Sequence, residues 1–136
     1  MRFRRSLVGT AAFVIAWASA ASPASAVATT HTIHGTVVVR GGVSLRNCAG
    51  ADDQSDIHEG THVRLRNDER RVVARATLGA GRAGGGGIDR CLLRFTMRDV
   101  ASSPTYSFVV ADRPGGRTFT RAQLARHEWR VTLTPT

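Results

Sequence analysis

Lysine is absent from this chain, so all 19 of its basic residues are arginine. That absence removes the GK[ST] ending of a phosphate-binding loop. The glycine-rich stretch GAGRAGGGG, residues 79–87, also lacks the strand-to-helix setting that turns backbone amides onto an anion, and it reads as a loose strand connection. Cysteine occurs only at Cys48 and Cys91, a spacing unlike the CxxC of redox and zinc centres. Neither lies near the N-terminal segment, which excludes a lipid-anchoring cysteine there. Aromatic residues are 6% of the chain, too few for a base-stacking platform. No repeat of about 20–50 residues is visible.

The long apolar run is Leu7 to Ala20, preceded by Arg2, Arg4 and Arg5 and followed by Ala24-Ser25-Ala26. A basic start, an apolar core and a small-residue cleavage site predict a secretory signal at residues 1–26. The core falls short of the roughly 20 residues of a membrane span and is followed by Ser and Pro. Cleavage after Ala26 is therefore expected over retention as an anchor, leaving no stable span. Residues 27–136 then form one secreted domain, large enough for its own core.

That domain has 16 arginines against 10 acidic residues, a net charge of about +6 with histidine neutral. Such a surface attracts anionic polymers, nucleic acid or envelope phosphates. The arginines are scattered along alternating segments, however, and only Phe95, Tyr106, Phe108, Phe119 and Trp129 could stack on bases. The expectation is a solvated surface with no specific nucleic-acid partner. In an exported chain Cys48 and Cys91 are expected to bridge, stabilising the fold by about 3–4 kcal/mol in the chain-entropy model.

Alternating apolar and polar residues mark Ile33–Arg40, Thr61–Arg66, Arg71–Leu78, Cys91–Arg98, the segment around Tyr106, Phe108 and Val110, the short Arg117–Phe119, and Trp129–Leu133. Asn67–Arg70 and Pro114-Gly115-Gly116 are turn signals between them. Thr120-Arg121-Ala122-Gln123 has the form of a capping box opening a short helix through His127. Residues 41–60 read as a long connection with a brief pairing around Val43 and Leu45, which Cys48 would pin. The pattern predicts an all-β fold: a single antiparallel β-sandwich of about seven short strands with one short helix near the C-terminus.

HEGTH, His58 to His62, matches the HExxH pattern in which two histidines ligate zinc and the glutamate activates its water. That spacing works only on a helix. Here Gly60 and Thr61 interrupt the pentapeptide, which follows an acidic loop and runs directly into a strand pattern. A third ligand would have to come from His31, His34, His127 or a carboxylate, none at a telling spacing. The weak metal alternative is thus His58, Glu59 and His62, against solvent-facing histidines at a strand entry. Asp52, Asp53, Asp56 and Glu59 offer oxygen ligands that suit calcium, but without the D-x-[DN]-x-[DN]-G spacing; the default is a solvated loop offsetting nearby arginines. No serine has a G-x-S-x-G setting and a bridged cysteine cannot attack, so no catalytic residue and no cofactor are expected.

Gly35-Thr36, Cys48, Asp56-Ile57-x-x-Gly60-Thr61-x-Val63, Leu78-Gly79-x-Gly81, Cys91-x-x-x-Phe95, Tyr106, Phe119-Thr120-x-x-x-Leu124 and Trp129-x-Val131 follow one another in an order that resembles a group of small secreted actinobacterial proteins of unknown function. The all-arginine, Ala/Val/Gly-rich composition also fits the coding bias of a high-GC bacterium. The resemblance implies an immunoglobulin- or transthyretin-like β-sandwich with no established catalytic site. It makes Ile57 a core anchor and His58 and Glu59 variable filler. The resulting expectation is a non-catalytic binding module, secreted or at the cell envelope, whose partner is a protein or an envelope component. Its candidate surfaces are the 49–60 loop and the Arg82–Asp89 region. The alternatives are a zinc-dependent hydrolase using HEGTH and a secreted protease inhibitor.

Overall fold

The computed structural model describes residues 22–23, 28–43, 48–84 and 90–136, and the side chains of all these except 41–43. Nearly all of the expected signal segment, Leu45 and residues 85–89 lie outside them. The strands are β1 (Thr30–Val43), β2 (Cys48–Gly50), β3 (His62–Arg66), β4 (Val72–Thr77), β5 (Arg82–Ala83), β6 (Arg90–Ala101), β7 (Thr105–Val110), β8 (Arg117–Thr120) and β9 (Arg130–Leu133). A 3-10 turn spans Asp52–Gln54, and helix α1 is Arg121–Arg126. No described helix is long and apolar enough to cross a membrane.

The strands form two sheets. The first runs β2-β1-β6-β5, with β9 also paired to β1; the second runs β4-β3-β7-β8. Over the described residues the fold is all-β with one short helix, as the alternation predicts. Each of the patterned segments contains a strand. β2 and β5 add three and two residues, too short to show a period of two. Among the described strands β9 is the one parallel partner, with His34 opposite Arg130 and Val37 opposite Leu133. It arrives that way because α1 intervenes between β8 of the second sheet and β9 of the first.

The alternation also sets the core. Ile33, Val37 and Val39 of β1, Cys91, Leu93, Phe95 and Met97 of β6, Val63 and Leu65 of β3, and Tyr106, Phe108 and Val110 of β7 are all buried in one apolar cluster. The Phe95 and Phe108 rings, one from each sheet, sit 6.2 Å apart. Gly35 lies directly opposite Phe95, and a Cβ there would stand 1.9 Å from the ring's Cζ. The missing side chain is what lets the ring lie against the β1 backbone.

Three local expectations are corrected. The first strand does not stop at Arg40: β1 continues through residues 41–43, the pairing expected around Val43 is part of it, and it pairs back with β2, Gly41 opposite Gly50 and Val43 opposite Cys48. The alternation of Arg71–Leu78 would put Val72 on the core side with Ala74 and Ala76, but a register shift between Leu65 and Arg66 places it opposite Arg66, so Val72 is 36% exposed and Val73 packs on the core instead. Trp129 does not begin the last strand. It follows Glu128 in the left-handed region, at φ 58° after 53°, and its N–H donates to Leu124 O at 2.8 Å. The indole then stacks on His31 with centroids 3.7 Å apart and meets Tyr106 edge-on.

Two hydrogen-bonded devices close the chain reversals. The Tyr106 hydroxyl donates to Ala101 O at 2.9 Å and accepts from Ser103 N at 2.7 Å, tying the β6–β7 turn in the manner of a tyrosine corner. The capping box forms in both directions: Gln123 N donates to Thr120 Oγ1 and Thr120 N to Gln123 Oε1.

Cys48 and Cys91 are bridged, with Cα atoms 5.6 Å apart, joining β2 to β6. Replacing both by alanine should lower unfolding free energy by about 3–4 kcal/mol in the chain-entropy model, read by denaturant titration. Gly35→Ala should cost about 1–3 kcal/mol by displacing the Phe95 ring. A Gly35→Ala protein as stable as wild type would show that the ring has room to move.

Candidate functional site

The irregular segment from Ala51 to Thr61 leaves β2 at the edge of the first sheet and enters β3 in the second. A connection of this length is costly in chain entropy unless it is fixed, and it is fixed at several points. Gly50 N donates to Ile57 O at 2.7 Å and Ala51 N to Arg40 O at 3.0 Å, closing the loop at its neck. Ile57 is fully buried, in keeping with its expected role as an anchor.

Gln54, only 6% exposed, bridges two further segments. Its Oε1 accepts from Arg40 N at 2.9 Å and its Nε2 donates to Pro135 O at 2.7 Å, tying the loop to β1 and to the C-terminal tail. Arg113, from the β7–β8 turn, reaches the loop's outer side. Its Nε and Nη2 donate to the two Asp56 carboxylate oxygens at 3.0 and 2.5 Å, and Nη2 also meets Asp53 O. This hydrogen-bonded guanidinium holds the Asp56 carboxyl below its ordinary value of 3.8, against a smaller opposing effect of desolvation.

HEGTH is the last of these fixings and is not helical. His58 to Gly60 form a turn in which Thr61 N donates to His58 O at 3.1 Å. The buried Thr61 hydroxyl accepts from His58 N at 3.0 Å and donates to Asp56 O at 2.9 Å. Gly60 sits at φ 86°, the left-handed region that glycine enters without a side-chain penalty. His58 Nδ1 lies 2.7 Å from Glu59 O, and His62 begins β3 as an exposed residue. The helical turn that presents two imidazoles to one metal is thus replaced by a backbone turn.

The other sequence candidates lie apart. His31 stacks on Trp129, His34 sits in β1 beside Thr96, and His127 caps α1. Among the described residues no three histidine, cysteine, aspartate or glutamate side chains gather as metal ligands. Within the acidic run, Asp56 is already engaged by Arg113, which lowers the charge it could offer a calcium ion.

These fixings create an open depression between the loop, the β7–β8 turn and the β3–β4 hairpin. Asp53, His58, His62, Arg64 and Arg75 line it, and Arg64 is drawn to Asp112 at 2.7 Å. The site offers side chains of both signs on a braced frame. Of the second expected surface, Arg82 and Ala83 form β5 on the edge of β6, Gly81 bridges Cys48, and residues 85–89 lie outside the described residues. Gly81 to Ala83 of the glycine-rich stretch are therefore sheet edge rather than a loose connection. Gln54 and Arg113 carried no signal in the sequence, because their partners lie as far as 81 and 60 positions away. Comparison with protein-family models, curated proteins and solved structures finds no match to this chain.

Asp56, whose pKa is depressed on folding, should add stability above its unfolded value and lose it as pH falls through the folded value. The stability difference between wild type and Asp56→Asn should therefore be greatest above the unfolded carboxylate pKa and shrink as pH falls through the lowered folded one. Because Asp56 is half exposed, that difference should not exceed about 1 kcal/mol. Thr61→Val, which keeps the shape but removes the hydroxyl, should cost about 1–2 kcal/mol in thermal or chemical unfolding.

Proposed function

We propose that this chain is an exported, disulfide-stapled binding module that recognises an envelope component or a secreted protein partner through the depression beside the 49–60 loop. The observation that carries this is the bracing of that loop. The disulfide, Gln54, Thr61 and the Arg113–Asp56 pair hold an irregular, polar segment in one conformation. A pre-ordered recognition loop avoids part of the entropy cost of binding. The basic start, apolar core and Ala24-Ser25-Ala26 of the N-terminal segment, and the resemblance to small secreted actinobacterial proteins, support export. The turn at HEGTH gives the hydrolase alternative no comparable support, and no feature singles out a protease-reactive loop.

A native mass spectrum of the protein recovered from the medium of an oxidising host should show a chain starting at Val27, two hydrogens lighter than the dithiol and free of zinc. Bound zinc that is lost on His58→Ala, accompanied by peptide hydrolysis, would replace the binding reading with the hydrolase one. Captured on the immobilised oxidised protein, a stoichiometric partner should be weakened at least about tenfold by His62→Ala/Arg75→Glu and left unchanged by Arg70→Glu. Equal retention by both variants would remove the depression from the interface.

A further inference from the structure

The arginines that are scattered in sequence converge in space. Strand alternation and register place Arg40 of β1, Arg82 of β5, Arg90, Arg94 and Arg98 of β6, and Arg130 of β9 on the solvent side of the first sheet, all exposed. Arg40 lies directly opposite Arg90, a like-charge pairing that costs stability in an antiparallel sheet. Asp99 is the one carboxylate on these strands, at the far end of β6 beyond Arg98, and Asp53 of the 49–60 loop lines a depression beside Arg40 and Arg90 at the opposite end. The ion pairs among the described residues, Arg64–Asp112, Arg71–Glu69 and Arg113–Asp56, use none of the six. Strand dimensions spread this charge over about 27 Å along β6 and about 14 Å across the sheet.

Within the face lies a depression across β9, β1 and β6. Arg94 and Arg130 flank it, and the outward side chains in its lining are those of His34, Thr36, Thr96 and Thr132, with Gly35, Phe95 and Val131 beneath. Every one of these outward side chains is able to donate a hydrogen bond and none is acidic. Guanidinium forks with hydroxyl donors between them suit the oxygens of a phosphoryl group.

We infer that this face binds a linear polyol-phosphate chain through its phosphodiester backbone, one phosphate seated between Arg94 and Arg130 and others following along Arg82, Arg90 and Arg40. The length of the charged field fits a polymer rather than a single phosphate. No aromatic side chain lies at the outward positions of these strands to stack on a nucleobase. A bilayer would call for apolar side chains to insert, and the large apolar residue exposed among the described residues, Val72, is on the other sheet. The choice of polymer rests on the proposed export, which brings the face into reach of envelope phosphates. Binding in vitro does not depend on export or on the loop depression, so its failure is distinguishable from theirs.

Titrating synthetic poly(glycerol phosphate) into the oxidised full chain at a series of salt concentrations tests this. Log affinity should fall linearly with log salt, by about 0.7 per phosphate contacted. Arg94→Gln/Arg130→Gln should weaken binding at least about tenfold and flatten the slope by about 0.7, the share of the one phosphate they hold between them. Arg70→Gln/Arg117→Gln, which removes equal charge from the second sheet, should change affinity less than about twofold. Equal losses in the two variants would overturn the site in favour of bulk charge. Competition by inorganic phosphate at concentrations equal to the polymer's phosphate would overturn the polymer in favour of a single bound phosphate. Binding to anionic vesicles but not to the polymer, or to oligo(dT) of the same phosphate count more than about tenfold tighter, would overturn the choice of partner.

Discussion

The antiparallel ladder between β1 and β6 is the constraint on which the other elements depend. It runs from Thr30 opposite Ala101 to Arg40 opposite Arg90, interrupted by one register shift near His31. β1 also carries β2 and β9 on its other edge, and β6 carries β5, so both short strands and the one parallel strand are templated by this pair. Because side chains alternate along it, the ladder commits Val37, Val39, Cys91, Leu93, Phe95 and Met97 to the core and their neighbours to solvent. A slip of one residue would bury Arg94 and expose Phe95.

Attached to that ladder, the disulfide does more than shorten a loop. It joins the start of β2 to β6 at the place where Gly81 also bridges Cys48, so the segments before the 49–60 loop and after the β3–β4 hairpin meet there. The loop then leaves from a fixed point, and Gln54 and Arg113 hold it to β1, the C-terminal tail and the β7–β8 turn. Polar groups that would compete with a regular ladder are instead satisfied by one another, which is why so acidic a segment packs closely against a basic domain.

The two outer faces differ in how their charge is balanced. On the second sheet Arg64 has Asp112. On the first, the outward positions between β5 and β9 hold mostly arginine, histidine and threonine, with the half-buried Val38 and Leu92 among them and Asp99 and Asp53 at the margins. Both faces arise from the same alternation, so the difference lies in which residues fill the outward positions, and those are free of any packing demand. An outward position filled by arginine opposite arginine serves no packing purpose.

How much was legible in the sequence follows from the range of each interaction. The strand segments, their inward residues, the capping box at Thr120 and the Cys48–Cys91 bridge all follow from local period, local capping or the only available pairing, and they stand in the structure. HEGTH was legible as a turn because Gly60 and Thr61 are poor company for a helix. Beyond reach were β2 and β5, too short for a period, the outward turn of Val72, which a register shift decides, and the left-handed Trp129. The sequence by itself determined which side of each strand is apolar, since that depends on residues two apart. Only the tertiary structure decided that β9 runs parallel to β1, that Arg113 closes on Asp56, and that arginines as distant as Arg40 and Arg130 share one face, because strand order and register depend on contacts between segments far apart in the chain.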